Sequence, residues 1–170
     1  MGFFDRFKKA EQPNGIEVRE TSGILVQPID GEVIPLADIA DGVFSEGILG
    51  QGCGLIPSAE EVYSPISGTI STVAETLHAV GIEGDGMELL IHVGLETVSM
   101  QGKGFDVKVK AGDKVKAGQL LMTFSMDEIN KADGVSTTTA VLVTNSDDMP
   151  TFELLRTGKG KAGEKLIKVK

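Results

Sequence analysis

The chain contains two histidines, His78 and His92, and the residues around them bring both to one place. Glu88 to Val93 is mostly apolar and β-favouring. It reads as a strand with Leu90 and His92 on one face and Leu89, Ile91 and Val93 on the other. His78, Val80 and Ile82 share a face of a preceding strand in the same way. Between the two lies Gly84-Asp85-Gly86, a glycine-rich turn whose residues tolerate the positive φ of short hairpin loops. A loop centred on Asp85 sets equidistant residues opposite each other, which places His78 across from His92 with Cβ atoms roughly 5 Å apart. A bulge or an even-numbered loop shifts that register by one residue.

Two facing imidazoles support three chemistries. With a third or fourth ligand they hold a metal. They can act as acid and base on a substrate. Or one attacks phosphorus as a nucleophile while the other hydrogen-bonds the charged phosphoryl oxygens. The structural alternative is a pair of histidines satisfied within a sheet; that the only two histidines of the chain come out paired favours a functional reading.

The elements that must position this pair are short strands. The chain has 170 residues, enough to bury the core of one domain, with 22 glycines, one tyrosine and no tryptophan, a composition suited to strands joined by tight turns. Strands are expected at Ile24 to Val26, Glu32 to Leu36, Leu120 to Phe124, Thr138 to Thr144 and Leu166 to Val169. Ser125 to Glu128 forms a capping box ahead of a helical turn or two reaching Ala132, and Ile39 to Phe44 is read as another short helical turn. The fold class is all-β, an antiparallel β-sandwich or flattened barrel with very little helix. Lys-Ala-Gly recurs at Lys110 to Gly112, Lys116 to Gly118 and Lys161 to Gly163, a weak echo of internal duplication.

Residues 1–20 read as a flexible N-terminal tail and 21–170 as the domain. Within the tail, Phe3, Phe4 and Phe7 beside Arg6, Lys8 and Lys9 have the spacing of a short amphipathic helix lying on an anionic membrane, a reading balanced against a frayed end. No run nears the roughly 20 apolar residues of a membrane span, and no signal peptide is evident, so a cytoplasmic location is expected. A net charge of −9 argues against nucleic acid and favours basic protein partners. Cys53, the single cysteine, lies among Gly52, Gly54 and Leu55 as a small buried residue; it allows no internal disulfide and no CxxC motif.

The order of these features resembles the glucose-type enzyme IIA family of the bacterial phosphoenolpyruvate:sugar phosphotransferase system, over about the whole chain. Gly86 to Val98, GMELLIHVGLETV, is similar to the family signature around the phosphorylated histidine. Glu75 to His78, Asp41 to Phe44, Gly50 to Gly52 and Thr139 to Asn145 support it. The resemblance implies a β-sandwich in which His92 accepts the phosphoryl group, His78 stabilises it and assists transfer, and Thr76 orients His78. It implies a partner surface of Asp41, Val43, Phe44, Ile48, Leu49, Glu96 and Val98, the two carboxylates meeting arginines of the histidine-containing phosphocarrier protein. It further implies onward transfer to a cysteine of the sugar-specific enzyme IIB, and extends to regulated enzymes or permeases as partners. No cofactor is required; an incidental zinc held by His78 and His92 needs a carboxylate from another molecule. Leu77 stands where many members have a small or polar residue, and Glu96 replaces a commoner aspartate.

Two rival classes share parts of the pattern. Val109 to Leu120 resembles the turn-and-strand pattern of biotinyl and lipoyl carrier domains, but no motif for a modified lysine surrounds Lys131. A lysostaphin-like zinc peptidase shares related β-topology, but needs a further histidine and a ligating aspartate, and its HxH element is missing.

Overall fold

The computed structural model describes residues 15–170. In chain order its strands are β1 (Ile24–Val26), β2 (Gly31–Pro35), β3 (Gln51–Pro57), β4 (Glu61–Tyr63), β5 (Gly68–Val73), β6 (Ala79–Gly84), β7 (Met87–His92), β8 (Phe105–Val107), β9 (Lys114–Val115), β10 (Leu120–Phe124), β11 (Thr139–Val143), β12 (Glu153–Leu154), β13 (Gly158–Gly160) and β14 (Lys165–Lys168). Eight of them form one sheet in the order β13-β2-β3-β11-β7-β6-β5-β9, and two three-stranded sheets, β1-β14-β12 and β4-β10-β8, complete the fold. Every pairing is antiparallel. The main core joins all three sheets: Leu25, Val62, Leu121 and Leu166 from the small ones meet Leu55, Ile82, Leu89, Ile91 and Val141 from the large one. No sheet closes on itself, so the sandwich form of the expectation is the one found.

The opposite face of the large sheet carries a smaller apolar cluster of Ile39, Phe44, Ala140 and Leu142. Its cover is the segment between β2 and β3, which holds two single turns of 3-10 helix, Leu36–Asp38 and Phe44–Glu46. These flank the helical turn expected at Ile39 to Phe44. Ile39 is extended and fully buried, and Gly42 at φ 75° interrupts the run, so the chain there bends inward to fill the cluster instead of coiling.

Helix α1 (Met126–Lys131) starts where the capping box places it, with the Ser125 hydroxyl accepting from the Glu128 N–H at 3.1 Å. The three Lys-Ala-Gly repeats are one turn used three times. Each glycine has φ between 89° and 96°, as the third position of a type II turn requires, and the next residue, Asp113, Gln119 or Glu164, accepts from the lysine N–H through its side chain. Local turn chemistry therefore accounts for the echo.

The amphipathic reading of residues 1–9 falls outside the described residues. Of the tail, Gly15 pairs with Gln119 and Ile16 N–H donates to the Gly118 carbonyl at 2.8 Å.

Candidate active site

The hairpin of β6 and β7 turns through two residues, Asp85 and Gly86, both at positive φ (50° and 78°), as Asp-Gly does in a type I′ turn. Asp85 is pinned there by the Gly23 N–H at 2.7 Å. An even-numbered loop moves the register by one, so Ala79, not His78, lies opposite His92. This corrects the direct cross-strand pairing, yet the two rings still meet: their centroids are 4.6 Å apart at 79°, edge to face.

Two local features bring them together. His78 sits one residue before β6, and the Val93 N–H donates to its carbonyl at 2.8 Å, tying the ends of the two strands. Leu77 is left-handed at φ 67°, so His78 leaves the pleat alternation it was expected to share with Val80 and Ile82. Those two face the main core while His78 turns to the His92 side. A left-handed leucine costs of order 1–2 kcal/mol, strain of the kind that gathers at functional sites. It also explains physically why a small or polar residue is easier at this position.

His92 is flanked on its own face by small neighbours, Ala79 on β6 and Ala140 on β11. They leave room for the Phe44 ring, whose centroid lies 4.9 Å from that of His92. The His92 Nδ1 lies 2.9 Å from the Gly94 carbonyl, which can only accept; Nδ1 therefore carries the proton and the neutral ring keeps its lone pair on Nε2. The Thr76 hydroxyl is 2.9 Å from His78 Nδ1, the contact expected of the orienting residue, and Phe105 stands on the far side of the His78 ring at 6.5 Å.

Both imidazoles are held below their ordinary titration range. Burial is the main cause for each. For His92 the neighbouring His78 adds to it, against the Gly94 hydrogen bond, a bond from its own backbone and the Asp41 charge. For His78 hydrogen bonding to Thr76 opposes burial. At neutral pH the pair is uncharged and Nε2 of His92 is available.

Beside His92 opens a pocket of about 200 Å³ lined by Asp41, Val43, Phe44, Leu95, Glu96, Thr97 and Val98. Of the expected rim residues, Val43 (47% exposed) and Val98 (54%) line it, and Ile48 (70%) and Leu49 (44%) are exposed in the segment that follows Phe44. Phe44 is buried to 8% exposure yet still lines the pocket, its ring lying against that of His92. The Asp41 carboxylate accepts from the N–H groups of Val43, Phe44 and Ser45. Burial pushes its pKa up, but these bonds outweigh it and hold the group below the usual carboxylate range. Asp41 thus builds the turn that seats Phe44, a role its charge did not announce, and three of its roughly four acceptor sites are engaged. Glu96 lies at the pocket edge at φ 61°.

Sequence reasoning passed over Gly94, Leu95, Thr97 and Phe105 as members of the site. A glycine two residues after the histidine, at φ 81°, was the available signal for the first. Among the described residues no cluster of three or more His, Cys, Asp or Glu side chains is placed to hold a metal.

Residues 23–149 match the family model described as phosphoenolpyruvate-dependent sugar phosphotransferase system, EIIA 1. This chain belongs to that family. Among glucose-type EIIA relatives, the glucose-specific EIIA component of Staphylococcus epidermidis is 41% identical over 75% of this chain and 76% of its own length. The glucose-specific EIICBA component of Staphylococcus carnosus is 45% identical over 87% of this chain, which spans only 22% of that longer protein. Among solved structures, glucose permease IIA from Mycoplasma capricolum superimposes with a TM-score of 0.81 at 32% identity, covering 91% of this chain and all of that one. Like the fold, the family is therefore that of the glucose-type EIIA phosphotransferase components. No described helix is long and apolar enough to cross a membrane.

Proposed function

We propose that this EIIA is a phosphoryl carrier that accepts phosphate on His92 from the histidine-containing phosphocarrier protein and hands it to a cysteine of a sugar-specific EIIB. The observation that carries the reading is the Gly94 carbonyl 2.9 Å from His92 Nδ1, an acceptor that places the proton on Nδ1 and leaves the Nε2 lone pair free, with the centroid of a second imidazole 4.6 Å away.

The step follows from that geometry. Nε2 of His92 attacks the phosphorus of the donor phosphohistidine in line; the donor N–P bond breaks as the new N–P bond forms, and the loose transition state needs positioning and charge stabilisation. Nδ1 keeps its proton throughout, so the ring needs no base. His78, oriented by Thr76, donates from Nε2 to the equatorial phosphoryl oxygens. In the reverse sense the same contacts release the group to the EIIB thiolate. That relatives carry names joining EIIA to B and C components supports EIIB as the acceptor.

Val43, Ile48, Leu49 and Val98 form an apolar face that excludes water when a partner docks, with Glu96 and the remaining acceptor site of Asp41 offered to its basic residues. The carrier works in the cytoplasm and needs no cofactor. Two imidazoles are too few for a resident zinc, and a zinc ion bound there takes a carboxylate from a second molecule.

The test is incubation with phosphoenolpyruvate, enzyme I and phosphocarrier, followed by intact mass. Wild type gains one phosphoryl group, His92→Ala none, and His78→Gln gains it but fails to pass it to EIIB. Normal phosphorylation of His92→Ala overturns the assignment.

A further inference from the structure

Thr97 is fully buried, belongs to the signature stretch, and spends its hydroxyl on the main chain, not on an imidazole. Its hydroxyl donates to the Val93 carbonyl at 2.6 Å. Val93 lies between His92 and Gly94, and its own N–H is taken by the His78 carbonyl at 2.8 Å. The two peptide units that flank Val93 are therefore each held, the one before it by His78 through main chain and the one after it by Thr97 through side chain.

The grip matters because the turn it closes is an unusual one. Gly94 has φ 81° and Glu96 φ 61°, two left-handed residues within three positions, and Glu96 supplies no side-chain cap to the 3-10 turn Thr97–Met100 that follows. A left-handed Glu96 is strained and persists only where its surroundings hold it. On the other side Leu95 exchanges backbone hydrogen bonds with Ser136 (2.9 and 3.2 Å). A Cβ on Gly94 would stand 2.4 Å from Thr97 Cγ2 and 2.6 Å from the Ser136 carbonyl oxygen, so turn, threonine and the Ser136 backbone interlock without spare space. What this locked turn presents is the Gly94 carbonyl, 2.9 Å from His92 Nδ1.

We propose that Thr97 is a positioning residue for phosphoryl acceptance: its buried hydroxyl fixes the 93–97 turn so that the Gly94 carbonyl holds the His92 proton on Nδ1. The role rests on the reading of His92 as acceptor, since a proton on Nδ1 is useful because it frees Nε2. The two neutral tautomers of a free imidazole are close in energy, and the carbonyl tips the balance through one hydrogen bond. A turn that relaxes by a few tenths of an ångström gives up much of that preference.

Three variants separate this from a general structural role. Thr97→Val keeps the shape and removes the donor, Thr97→Ser keeps the donor and removes the methyl, and Thr97→Cys keeps a weaker donor. The readout is the His92 tautomer from its ring 15N shifts near neutral pH, together with the rate of phosphoryl acceptance from the phosphocarrier. Wild type and Thr97→Ser should hold mainly the Nδ1–H form. Thr97→Val should show a mixture and a rate lower by about twofold, in step with the Nδ1–H population lost, and Thr97→Cys should fall between. If Thr97→Val does not fold, the comparison of Cys with Ser carries the test. Unchanged tautomer populations in the donor-poor variants overturn the proposal, as does a full shift in tautomer with an unchanged acceptance rate. Failure of wild type to take phosphate on His92 would instead sink the carrier reading, and the tautomer populations separate the two.

Discussion

Two rows of residues cross the large sheet one step apart. One runs Cys53, Val141, Ile91, Val80 and the next Gly54, Ala140, His92, Ala79. The first faces the main core and the second the small cluster beneath the pocket. Each row holds one side chain with the makings of a nucleophile, and burial acts on both by the same rule, favouring the uncharged form. For Cys53 burial pushes the thiol up to about 12 in spite of Arg156, which leaves about one part in 10⁵ as thiolate at neutral pH. The neutral thiol is the inert form, so Cys53 is packing. For His92 the uncharged form is the nucleophile. One physical effect thus silences one row and readies the other, and a one-residue step across the pleat decides which.

The sharpest way to break this comparison is to disturb the inert row. Cys53→Ser places a hydroxyl in the apolar interior, and a buried hydroxyl without a partner costs about 1–3 kcal/mol. Urea unfolding should register that loss while the phosphoryl acceptance rate stays at the wild-type value. A fall in acceptance with stability intact would give Cys53 a part in the chemistry and undo the contrast.

A smaller effect is expected at the strained entry to the reactive row. Leu77→Ile keeps the volume but puts a β-branched residue at φ 67°, where it is a steric outlier. The change should cost about 1 kcal/mol beyond wild type. It should also slow onward transfer to EIIB more than acceptance, because His78 is the ring that Leu77 turns toward its neighbour. Equal stability of the two proteins in urea would show that left-handed geometry is not what holds His78 in place.

The smallest effect lies in the acid limb of stability. Both histidines titrate below their ordinary value of 6.5 when folded, so as pH falls below that value the unfolded chain binds more protons and stability declines until the folded pKa values are passed. The carboxylates of Asp41, Asp85 and Asp113 are also lowered, but from 3.8, and their contribution disappears only in stronger acid. Replacing both histidines by glutamine should therefore flatten the curve just below pH 6.5 and leave the lower limb unchanged. Coincident slopes for variant and wild type across that window would contradict the lowered values.

Much of this was legible in the sequence because it is periodic or local. The alternation of Glu88 to Val93 assigned His92 to its face, Ser125 and Glu128 marked the start of α1, and the glycine-rich strands announced a sandwich. What escaped depends on details that periodicity does not carry. Asp85-Gly86 closes the hairpin alone, so Gly84 belongs to β6 and the register moves by one. The rings meet in spite of that only because Leu77 adopts a conformation rare for leucine. Asp41 read as a surface charge, whereas three backbone N–H groups converge on it, and Phe44 read as rim without the small cluster that it also fills. Those are tertiary facts, fixed by what happens to pack above Ala79 and Ala140.

The central claim is that Nε2 of His92 takes the phosphoryl group while Nδ1 keeps its proton. It is tested most directly by phosphorylating 15N-labelled protein with phosphoenolpyruvate, enzyme I and phosphocarrier and recording 31P and ring 15N resonances together. The account predicts a single phosphorus coupled to Nε2 of His92, a retained proton on Nδ1, and a His78 ring that carries no phosphorus. Coupling to Nδ1 of His92, or to either nitrogen of His78, would contradict it.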